Sequence, residues 1–276
     1  MIKSTEQELS CVGLIDSHAH YFDRRFEEMA DGILENEVFG KGISAVINVA
    51  TNPENAKACI EQAKKYPRMV TAIGIHPEDG QQMERGLDEA IEALSRLMDT
   101  PEKRRDGKIV ALGEIGLDYY WEPVNRELQA ELFERQLCLA ETWDLPVIIH
   151  DREAHGDCFD TVLKHPEVRG VFHSFSGSVE MARELVRRGW YLSFSGVLTF
   201  KNARKVKEAA AAIPEDRILL ETDAPYLTPE PYRGRLNHSD RMCYTAKALS
   251  ELWGRSYEET VKITAENARR LFDLPL

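Results

Sequence analysis

The chain has 276 residues, of which 43% are hydrophobic and 30% charged, with a formal net charge of −12 at pH 7. This length is typical of a single α/β barrel of about 250 residues, and the composition excludes a disordered or low-complexity chain. The charge argues against the broad basic surface that grips duplex DNA or an anionic membrane, although bound divalent cations would reverse the field locally.

The N-terminal stretch 1–13 is polar and lacks the apolar core of a signal peptide. No run in the chain approaches the roughly 18–20 apolar residues of a membrane span. The five cysteines include no Cys-x-x-Cys pair, which is typical of free thiols in a reducing compartment. We therefore expect a cytoplasmic protein without membrane contact, and a monomer because no long exposed apolar stripe stands out.

Eight short apolar runs alternate with amphipathic stretches along the rest of the chain. Several runs are apolar at nearly every position, which is typical of parallel strands buried on both faces. The predicted strands cover residues 12–16, 45–49, 70–75, 109–113, 146–149, 170–172, 190–195 and 218–221.

The stretches between these runs predict helices, because apolar side chains recur there at steps of three and four residues. Asn52-Pro53-Glu54 has the form of an N-cap followed by a proline and an acid in the first helical turn, and Ser178 is a second N-cap candidate. The helical patterns cover 87–98, 128–143, 179–186 and 206–213, and two more helices, near 240–253 and 257–272, close the chain.

Eight strands separated by helices predict a single (β/α)8 TIM-type barrel domain over residues 1–276, with extra C-terminal helices. The sequence contains no internal repeat and no linker rich in Pro, Gly or Ser. The segment 228–239 is rich in Pro, Arg, Gly and Asn and lacks a period, so we expect it to form a loop on the catalytic face after strand eight.

Side chains that bind metals stand at the ends of five of the eight predicted strands. The C-terminal ends of barrel strands converge on one face, so these side chains are expected to meet there. Imidazole and carboxylate together suit Zn, Mn, Fe, Ni or Co, and a carboxylate-rich set also suits Mg. The sequence thus predicts hydrolysis assisted by one or two divalent metals. The six candidate ligands are His18, His20, Glu114, His150, His173 and Asp223.

Each candidate has an alternative interpretation when it is taken alone. His18-Ala19-His20 places two imidazoles on one side of a strand, but such a pair also occurs by chance in loops. Glu114, between glycines, is either a carboxylate that bridges two cations or a surface residue in a turn. Asp223 needs a metal, a cation or a proton-transfer role, because an unpaired buried carboxylate is costly.

Arg152 and the candidate ligand His173 are each open to two interpretations, and Asp16 is a candidate for a supporting role. Arg152 offers a planar fork for phosphate or carboxylate; alternatively, Asp151 and Arg152 pair with each other or with a helix start. His173 is either a ligand or a buried structural histidine. Asp16, just before the His-x-His pair, is a candidate acceptor that orients one imidazole.

Seven segments, taken together, resemble the TatD family of metal-dependent deoxyribonucleases, which belongs to the amidohydrolase-like barrels. Order and spacing agree over nearly the whole chain. The departures are Asp151, where a small or neutral residue is common, and His238-Ser239, where proline often follows Asn237; both concern substrate preference. The matching segments are 15–20, 74–77, 113–118, 149–154, 173–177, 221–227 and 232–237.

The resemblance implies two divalent ions, which we expect to be Mg, Mn or Zn. One ion would be held by His18, His20, Glu114 and Asp223. The other would be held by Glu114, His150 and His173, so that Glu114 bridges the two ions.

The resemblance also implies hydrolysis of phosphodiester bonds at the 3′ end of DNA. Asp223 and Glu114 are then the catalytic candidates, with Asp223 taking the proton of the attacking water. The predicted substrate-binding residues are Arg152, His76, Arg233 and Asn237, although His76 before Pro77 is equally suited to a structural position. Tyr119, Tyr226 and Tyr232 are candidates either for stacking on an unpaired base or for packing.

The negative net charge predicts weak affinity for long duplex and a preference for single-stranded or frayed 3′ ends. The first alternative function is a metal-dependent hydrolase of C–N or ester bonds, including the ester that links an amino acid to tRNA. The second alternative is a binding protein on a barrel that has lost catalysis, but such a protein has no physical need for a complete set of ligands.

Overall fold

The computed structural model describes residues 9–83 and 86–274. Eight parallel strands pair in chain order in one sheet. The sheet closes where Ala19 bridges Ala224, and the Asp223 N–H donates to the His18 carbonyl at 2.9 Å. The strands are Ile15–Ala19 (β1), Ala45–Val49 (β2), Met69–Ile73 (β3), Ile109–Asp118 (β4), Val147–Arg152 (β5), Gly170–Phe172 (β6), Tyr191–Phe194 (β7) and Ile218–Leu220 (β8).

Helices connect the strands and surround the barrel. None of those in the described ranges is long and apolar enough to cross a bilayer. The helix α1 runs directly into a π-helix at Ile33–Phe39. The helices are α1 (Ala30–Gly32), α2 (Pro53–Lys65), α3 (Pro77–Gln82), α4 (Leu87–Met98), α5 (Pro101–Asp106), α6 (Arg126–Trp143), α7 (His155–Val162), α8 (Val179–Arg187), α9 (Arg204–Ala212), α10 (Met242–Trp253) and α11 (Tyr257–Phe272).

The predicted (β/α)8 barrel with additional C-terminal helices is confirmed. The predicted strands 45–49 and 170–172 and the predicted helices 87–98 and 257–272 coincide with β2, β6, α4 and α11. Asn52 caps α2 by accepting hydrogen bonds from the N–H groups of Glu54 and Asn55, and Ser178 caps α8.

Three strands, β1, β4 and β5, extend further than their apolar runs predicted. β1 begins at Ile15 and continues to Ala19, whereas Val12, the first residue of the predicted strand, is 67% exposed. β4 continues past Gly113 as far as Asp118. The additional residues include buried histidine and carboxylate side chains. The apolar run in the sequence therefore ends before the hydrogen-bonded pairing of the strands does. The prediction of strands ending directly before the ligands is therefore wrong for β1, β4 and β5.

Helix α11 closes the N-terminal end of the barrel. Its Ala268 and Phe272 belong to one buried cluster with Ile148, Val171 and Leu219 of the strands. The side-chain amide of Asn267 donates to the carbonyl of Ile218, the first residue of β8, at 2.9 Å. We call this apolar cluster, together with α11, the barrel floor.

Strand alternation places the polar side chains above the barrel floor. Residues two apart in a strand point to the same face, so His150 lies above Ile148 and His173 lies above Val171. Above Leu219, the same spacing leads to Glu221, which is fully buried. The functional side chains are consequently confined to the C-terminal end of the barrel.

The N-cap of α11 allows a direct test of how much this helix contributes to the free energy of unfolding. The Ser256 hydroxyl accepts from the Glu259 N–H at 3.2 Å, and the Glu259 carboxylate accepts from the Ser256 N–H at 3.1 Å. We expect Ser256→Ala to lower the free energy of unfolding by about 1 kcal/mol, because the helix loses its N-cap. Urea unfolding followed by circular dichroism measures the change. Lys262→Ala, exposed on the same helix, serves as the control and should stay within about 0.5 kcal/mol of wild type; equal losses in the two variants would contradict the assignment.

Candidate active site

The carboxylate of Glu114 lies at the centre of four imidazoles. Its Oε1 is 2.7 Å from Nδ1 of His150 and 2.7 Å from Nε2 of His173. Its Oε2 is 3.5 Å from Nε2 of His18 and 3.7 Å from Nε2 of His20. One carboxylate therefore faces two pairs of histidines, with a different oxygen toward each pair.

Asp223 completes the group on the side of His18 and His20. Its Oδ1 lies 3.3 Å from Nε2 of His20 and 3.7 Å from Nε2 of His18. The backbone of Asp223 has a φ of +56°, in the left-handed region, just after β8. The structure thus brings all six predicted ligands together, although they come from five different strands or strand ends.

The outer nitrogen of three of these histidines faces an acceptor, which orients each ring. Nδ1 of His20 lies 2.7 Å from the Val49 carbonyl and therefore carries a proton. Nε2 of His150 lies 2.9 Å from Oδ2 of Asp118. A carboxylate or carbonyl behind a histidine is the arrangement that leaves the other nitrogen free to bind a metal.

His173 follows the same rule at a longer distance. Its outer nitrogen, Nδ1, lies 3.4 Å from Oε1 of Glu221. The same Glu221 oxygen accepts a hydrogen bond from the Ser174 N–H at 2.8 Å, which fixes the carboxylate.

The inner atoms of the cluster are mostly acceptors that face one another. Nε2 of His18 and Nε2 of His20 are 3.0 Å apart, and Nε2 of His20 has no proton of its own when Nδ1 donates to Val49. Nδ1 of His18 is buried without a hydrogen-bond partner among the described residues. Nitrogen and oxygen atoms of His18, His20 and Glu114 all lie within 4.8 Å of one another. A divalent cation satisfies such a set of lone pairs, so these residues fit a metal.

The charges of the cluster are strongly coupled. Burial opposes ionisation of Glu114, but His173, His18 and His76 outweigh it and hold the pKa of Glu114 well below its usual range. Burial likewise opposes protonation of His150, but Asp118 and Glu114 raise its pKa to about 9. The His150 ring is therefore protonated near neutral pH when no cation is bound, and a metal must displace that proton.

A cavity of about 500 Å³ opens directly above the cluster. Three aromatic side chains line it, and two of them are strongly exposed: Trp121 at 49% and Tyr226 at 43%. Phe22 is the third. Tyr119 and Tyr232, the other predicted stacking candidates, are not among the residues that line this cavity.

A second cavity of about 220 Å³ adjoins the same ligands on the side of β6, β7 and β8. His173 and Asp223 line it together with the apolar side chains of Val206 and Leu227. Asp151, one of the two departures from the family pattern, lines this cavity. The other, His238, contacts Asp240 and lies outside both cavities.

Two of the predicted substrate-binding residues border the cavities. Arg152 is exposed, and its guanidinium lies 4.0 Å from the centroid of the Tyr120 ring. Arg152 does not pair with Asp151; Oδ2 of Asp151 instead contacts Nδ1 of His155, the first residue of α7, at 2.8 Å, which is the alternative of pairing with a helix start.

His76 caps a helix through one ring nitrogen and presents an N–H donor at the other. Its Nδ1 accepts from the Glu78 N–H at 3.2 Å and so caps α3, which leaves the proton of the neutral ring on Nε2. Burial, reinforced by His150, lowers the pKa of His76 to about 3, so the ring is neutral. Its Nε2 lies 3.9 Å from Oε1 of Glu114, beside the cavity.

The other two predicted substrate-binding residues lie elsewhere. Asn237 is fully buried, and its amide donates to the carbonyls of Thr222 at 3.0 Å and Tyr226 at 2.7 Å. The expected role in binding substrate is therefore replaced by a structural role in holding the loop after β8. Arg233 is exposed on that loop, with its guanidinium 4.3 Å from the centroid of the Phe200 ring.

Three carboxylates make contacts that the sequence did not predict. Glu221 was assigned only to a strand, although its spacing of two residues from Asp223 is the signal that it shares the inner face. Asp118, at the end of the matching segment 113–118, was not assigned to any histidine, although its Oδ2 contacts Nε2 of His150. The expectation that Asp16 orients an imidazole is wrong: its carboxylate accepts from the hydroxyl of Thr222 at 2.6 Å and the N–H of His18 at 3.2 Å.

A parallel barrel that gathers histidines and carboxylates around one buried point at its C-terminal end defines the class of metal-dependent barrel hydrolases. The comparisons with known proteins agree. The family described as TatD related DNase matches residues 15–273. The chain belongs to the TatD family.

The relatives match over almost their full length. The chain is 38% identical over 262 residues to the metal-dependent hydrolase YabD of Bacillus subtilis (strain 168), covering 94% of this chain and 98% of that protein. It is 36% identical over 273 residues to the metal-dependent hydrolase TatD of Mycobacterium tuberculosis, covering 95% and 98%. The crystal structure of YjjV, a TatD homolog from Escherichia coli K12, matches with a TM-score of 0.88 at 30% identity, covering 96% of this chain and 100% of that one.

Because Glu114 faces all four histidines, its part in binding a metal can be measured through the thermal stability of the protein. Protein treated with a chelator should unfold at a lower temperature than the same protein reloaded with Mn²⁺, because a cation present at a hundred times its Kd adds about 2.7 kcal/mol to the folded state. We expect Glu114→Gln to lose most of this increase, as measured by scanning calorimetry.

The control for this experiment is Glu167→Gln, which neutralises an exposed carboxylate at the opposite end of the barrel. It should keep the full Mn²⁺-induced increase in Tm. Equal increases in the two variants would show that Glu114 does not bind the metal.

Proposed function

We propose that this protein hydrolyses phosphodiester bonds at the 3′ end of DNA with the help of two divalent cations. The observation that carries the proposal is the placement of Glu114, whose two oxygens face two separate pairs of histidines beneath an open cavity. His18 and His20, with Asp223, would hold one cation, and His150 with His173 would hold the other.

Bound cations would supply Lewis acidity, which stabilises negative charge on phosphoryl oxygens and makes a water molecule more acidic. Hydrolysis adds water across the P–O3′ bond, so the attacking water must give up a proton as it attacks phosphorus. Asp223 is the carboxylate that borders both cavities, and it suits the task of accepting that proton. Burial opposes its ionisation, but His20 and His18 lower its pKa, so Asp223 is a carboxylate near neutral pH.

Two groups are placed to hold the phosphate. The Nε2–H of the neutral His76 ring is the donor on one side of the cavity. Arg152 lies on another side, and its guanidinium packs against Tyr120, which limits its rotation. Donors fixed in this way stabilise charge that develops on the phosphoryl oxygens without having to reorganise.

The exposed aromatic residues at the cavity mouth support a nucleic acid rather than a small amide or lactone. Trp121 is half exposed and presents a surface on which an unpaired base can stack. Bases are unpaired only in single strands and at frayed ends, and the net charge of −12 disfavours a long duplex. We therefore propose single-stranded or frayed 3′ ends as the substrate, with a cytoplasmic monomer as the active species.

The chemistry is tested by removing and restoring the metal. Chelated protein should be inactive on labelled single-stranded DNA, and activity should return with Mg²⁺, Mn²⁺ or Zn²⁺. Asp223→Asn should lower kcat by about 10²–10⁴-fold, because the amide cannot accept the proton. Asp160→Asn, an exposed position on α7, is the matched control and should leave kcat unchanged.

The same assay separates this proposal from the alternative of C–N or ester hydrolysis. A panel of amides, lactones and aminoacyl-tRNA is tested in parallel with the DNA. Metal-dependent turnover of one of these compounds, with none of DNA, would refute the nuclease proposal and support the alternative.

The proposed preference for unpaired bases depends on Trp121. We expect Trp121→Ala to weaken binding of single-stranded DNA by about 1–3 kcal/mol through the loss of one stacking surface, with little effect on the already weak binding of duplex. Gel-shift titrations of single-stranded and duplex DNA measure the two affinities. Trp143→Ala cannot serve as a control, because Trp143 packs against the core. Val12→Ala, which truncates an exposed apolar side chain that lines neither cavity, is the control and should leave both affinities unchanged. Tight, metal-independent binding of duplex by the wild type would contradict the preference.

A further inference from the structure

Exposed cations are concentrated on one side of the catalytic face. They come from two neighbouring segments, the connection from β7 into α9 and the loop after β8. The first segment, 201–205, contains three cations and no acid, in a chain whose net charge is −12. We call this group the cationic rim; its members are Lys201, Arg204, Lys205, Arg233 and Arg235, all of which are exposed.

Direct contacts hold the two segments of the cationic rim together. The Arg233 guanidinium lies 4.3 Å from the centroid of the Phe200 ring, so the loop after β8 packs on the connection after β7. The Glu230 N–H donates to the Thr199 hydroxyl at 2.9 Å, which joins the same two segments. The cations therefore share one surface despite their separation in sequence.

Most of these cations have no acidic partner. Over residues 9–83 and 86–274, no carboxylate oxygen lies within ion-pair distance of Lys201, Lys205, Arg233 or Arg235, and Arg204 pairs only with the exposed Glu208, at 3.1 Å. Because no acid neutralises them, these cations remain available to an anionic ligand.

The smaller cavity lies between the metal ligands and the first segment of the cationic rim. His173 and Asp223 line this cavity, and so does Val206, the residue after Lys205. A chain that leaves the ligands through this cavity therefore passes onto the rim.

The opposite side of the site has the reverse charge. Glu78 and Asp79 line the larger cavity on the side of β3, whereas Asp23, which also lines it, is paired with Arg25 at 3.1 Å. The side chain of Asp79 is fixed there by hydrogen bonds of 2.6 Å from both Thr51 and Asn52. Like charges repel, so the part of a strand that continues beyond the bound nucleotide is disfavoured next to Glu78 and Asp79 and attracted to the cationic rim.

We propose that the cationic rim carries the phosphate backbone of a single nucleic-acid strand as it continues away from the nucleotide held at the metal ligands. This inference rests on the proposed nuclease function and adds the direction in which the substrate leaves the site. Its chemistry is that of phosphates meeting unpaired Lys and Arg side chains, which neutralise the backbone without reading its sequence. A substrate that is too short to reach the rim gains nothing from it.

The test compares two triple variants that lose the same charge. The rim variant is Lys201→Gln/Lys205→Gln/Arg235→Gln. The control variant is Lys164→Gln/Lys262→Gln/Arg270→Gln, whose positions are exposed and lie on α11 and just beyond α7, at the floor end of the barrel. The ligands are a dinucleotide and a single-stranded oligonucleotide of about twelve nucleotides, which is within the usual site size for such proteins.

Binding is measured by fluorescence anisotropy with Mn²⁺-loaded protein and a phosphorothioate form of the longer strand, which resists cleavage. We expect the rim variant to bind this strand about tenfold more weakly than the control variant does. The dependence of log K on log salt should become shallower by about 0.7 for each phosphate that the rim no longer neutralises, or about 2 in total. Hydrolysis of the dinucleotide should be the same in both variants, which also shows that both are folded.

Two outcomes would overturn the inference: equal affinity and salt dependence of the two variants for the longer strand, or no measurable binding of that strand by the wild type. The proposed function fails separately, if wild-type protein loaded with Mn²⁺ hydrolyses neither the dinucleotide nor an unmodified longer strand. Weakened hydrolysis of the dinucleotide by the rim variant alone would also overturn the inference, because the rim would then belong to the site at the metal ligands.

Discussion

The shared carboxylate of Glu114 is the interaction on which the remainder of the site depends. It is 3% exposed, and a buried carboxylate without partners costs several kcal/mol. That cost is offset because one oxygen faces His150 and His173 while the other faces His18 and His20. Without it, the four imidazoles would face mainly one another, so the same group both permits their burial and sets their spacing.

Backbone geometry brings these partners within reach of Glu114. Gly116 has a φ of +143°, and a Cβ built there would lie 2.0 Å from the carbonyl oxygen of His150. A Cβ on Gly113 would lie 2.7 Å from Cβ of Ile148. Strands β4 and β5 therefore approach one another where only glycine fits, and this approach places His150 against Glu114. The glycines on either side of the carboxylate are thus part of the site, although they contribute no ligand.

The fold was largely predictable because apolar runs and helical periods alternate clearly along the chain. The ligand-type residues were predictable because polar side chains that end apolar runs have few other roles. What could not be predicted depends on contacts between distant segments. The support that Asp118 and Glu221 give to histidines follows from the register between strands. The inward turn of Asn237 and the exposure of Trp121 follow from loop conformation, for which the sequence carries no period.

The barrel floor has a consequence for the order in which the molecule is made. All six ligand-type residues precede residue 224, whereas the helix that closes the barrel beneath them is Tyr257–Phe272. During translation the ligands therefore leave the ribosome first. A chain that stalls before its final helix would carry a full complement of ligands above a layer of aliphatic side chains still open to water. Chaperones would then encounter a chain that can already bind a cation but whose apolar interior is still exposed to water.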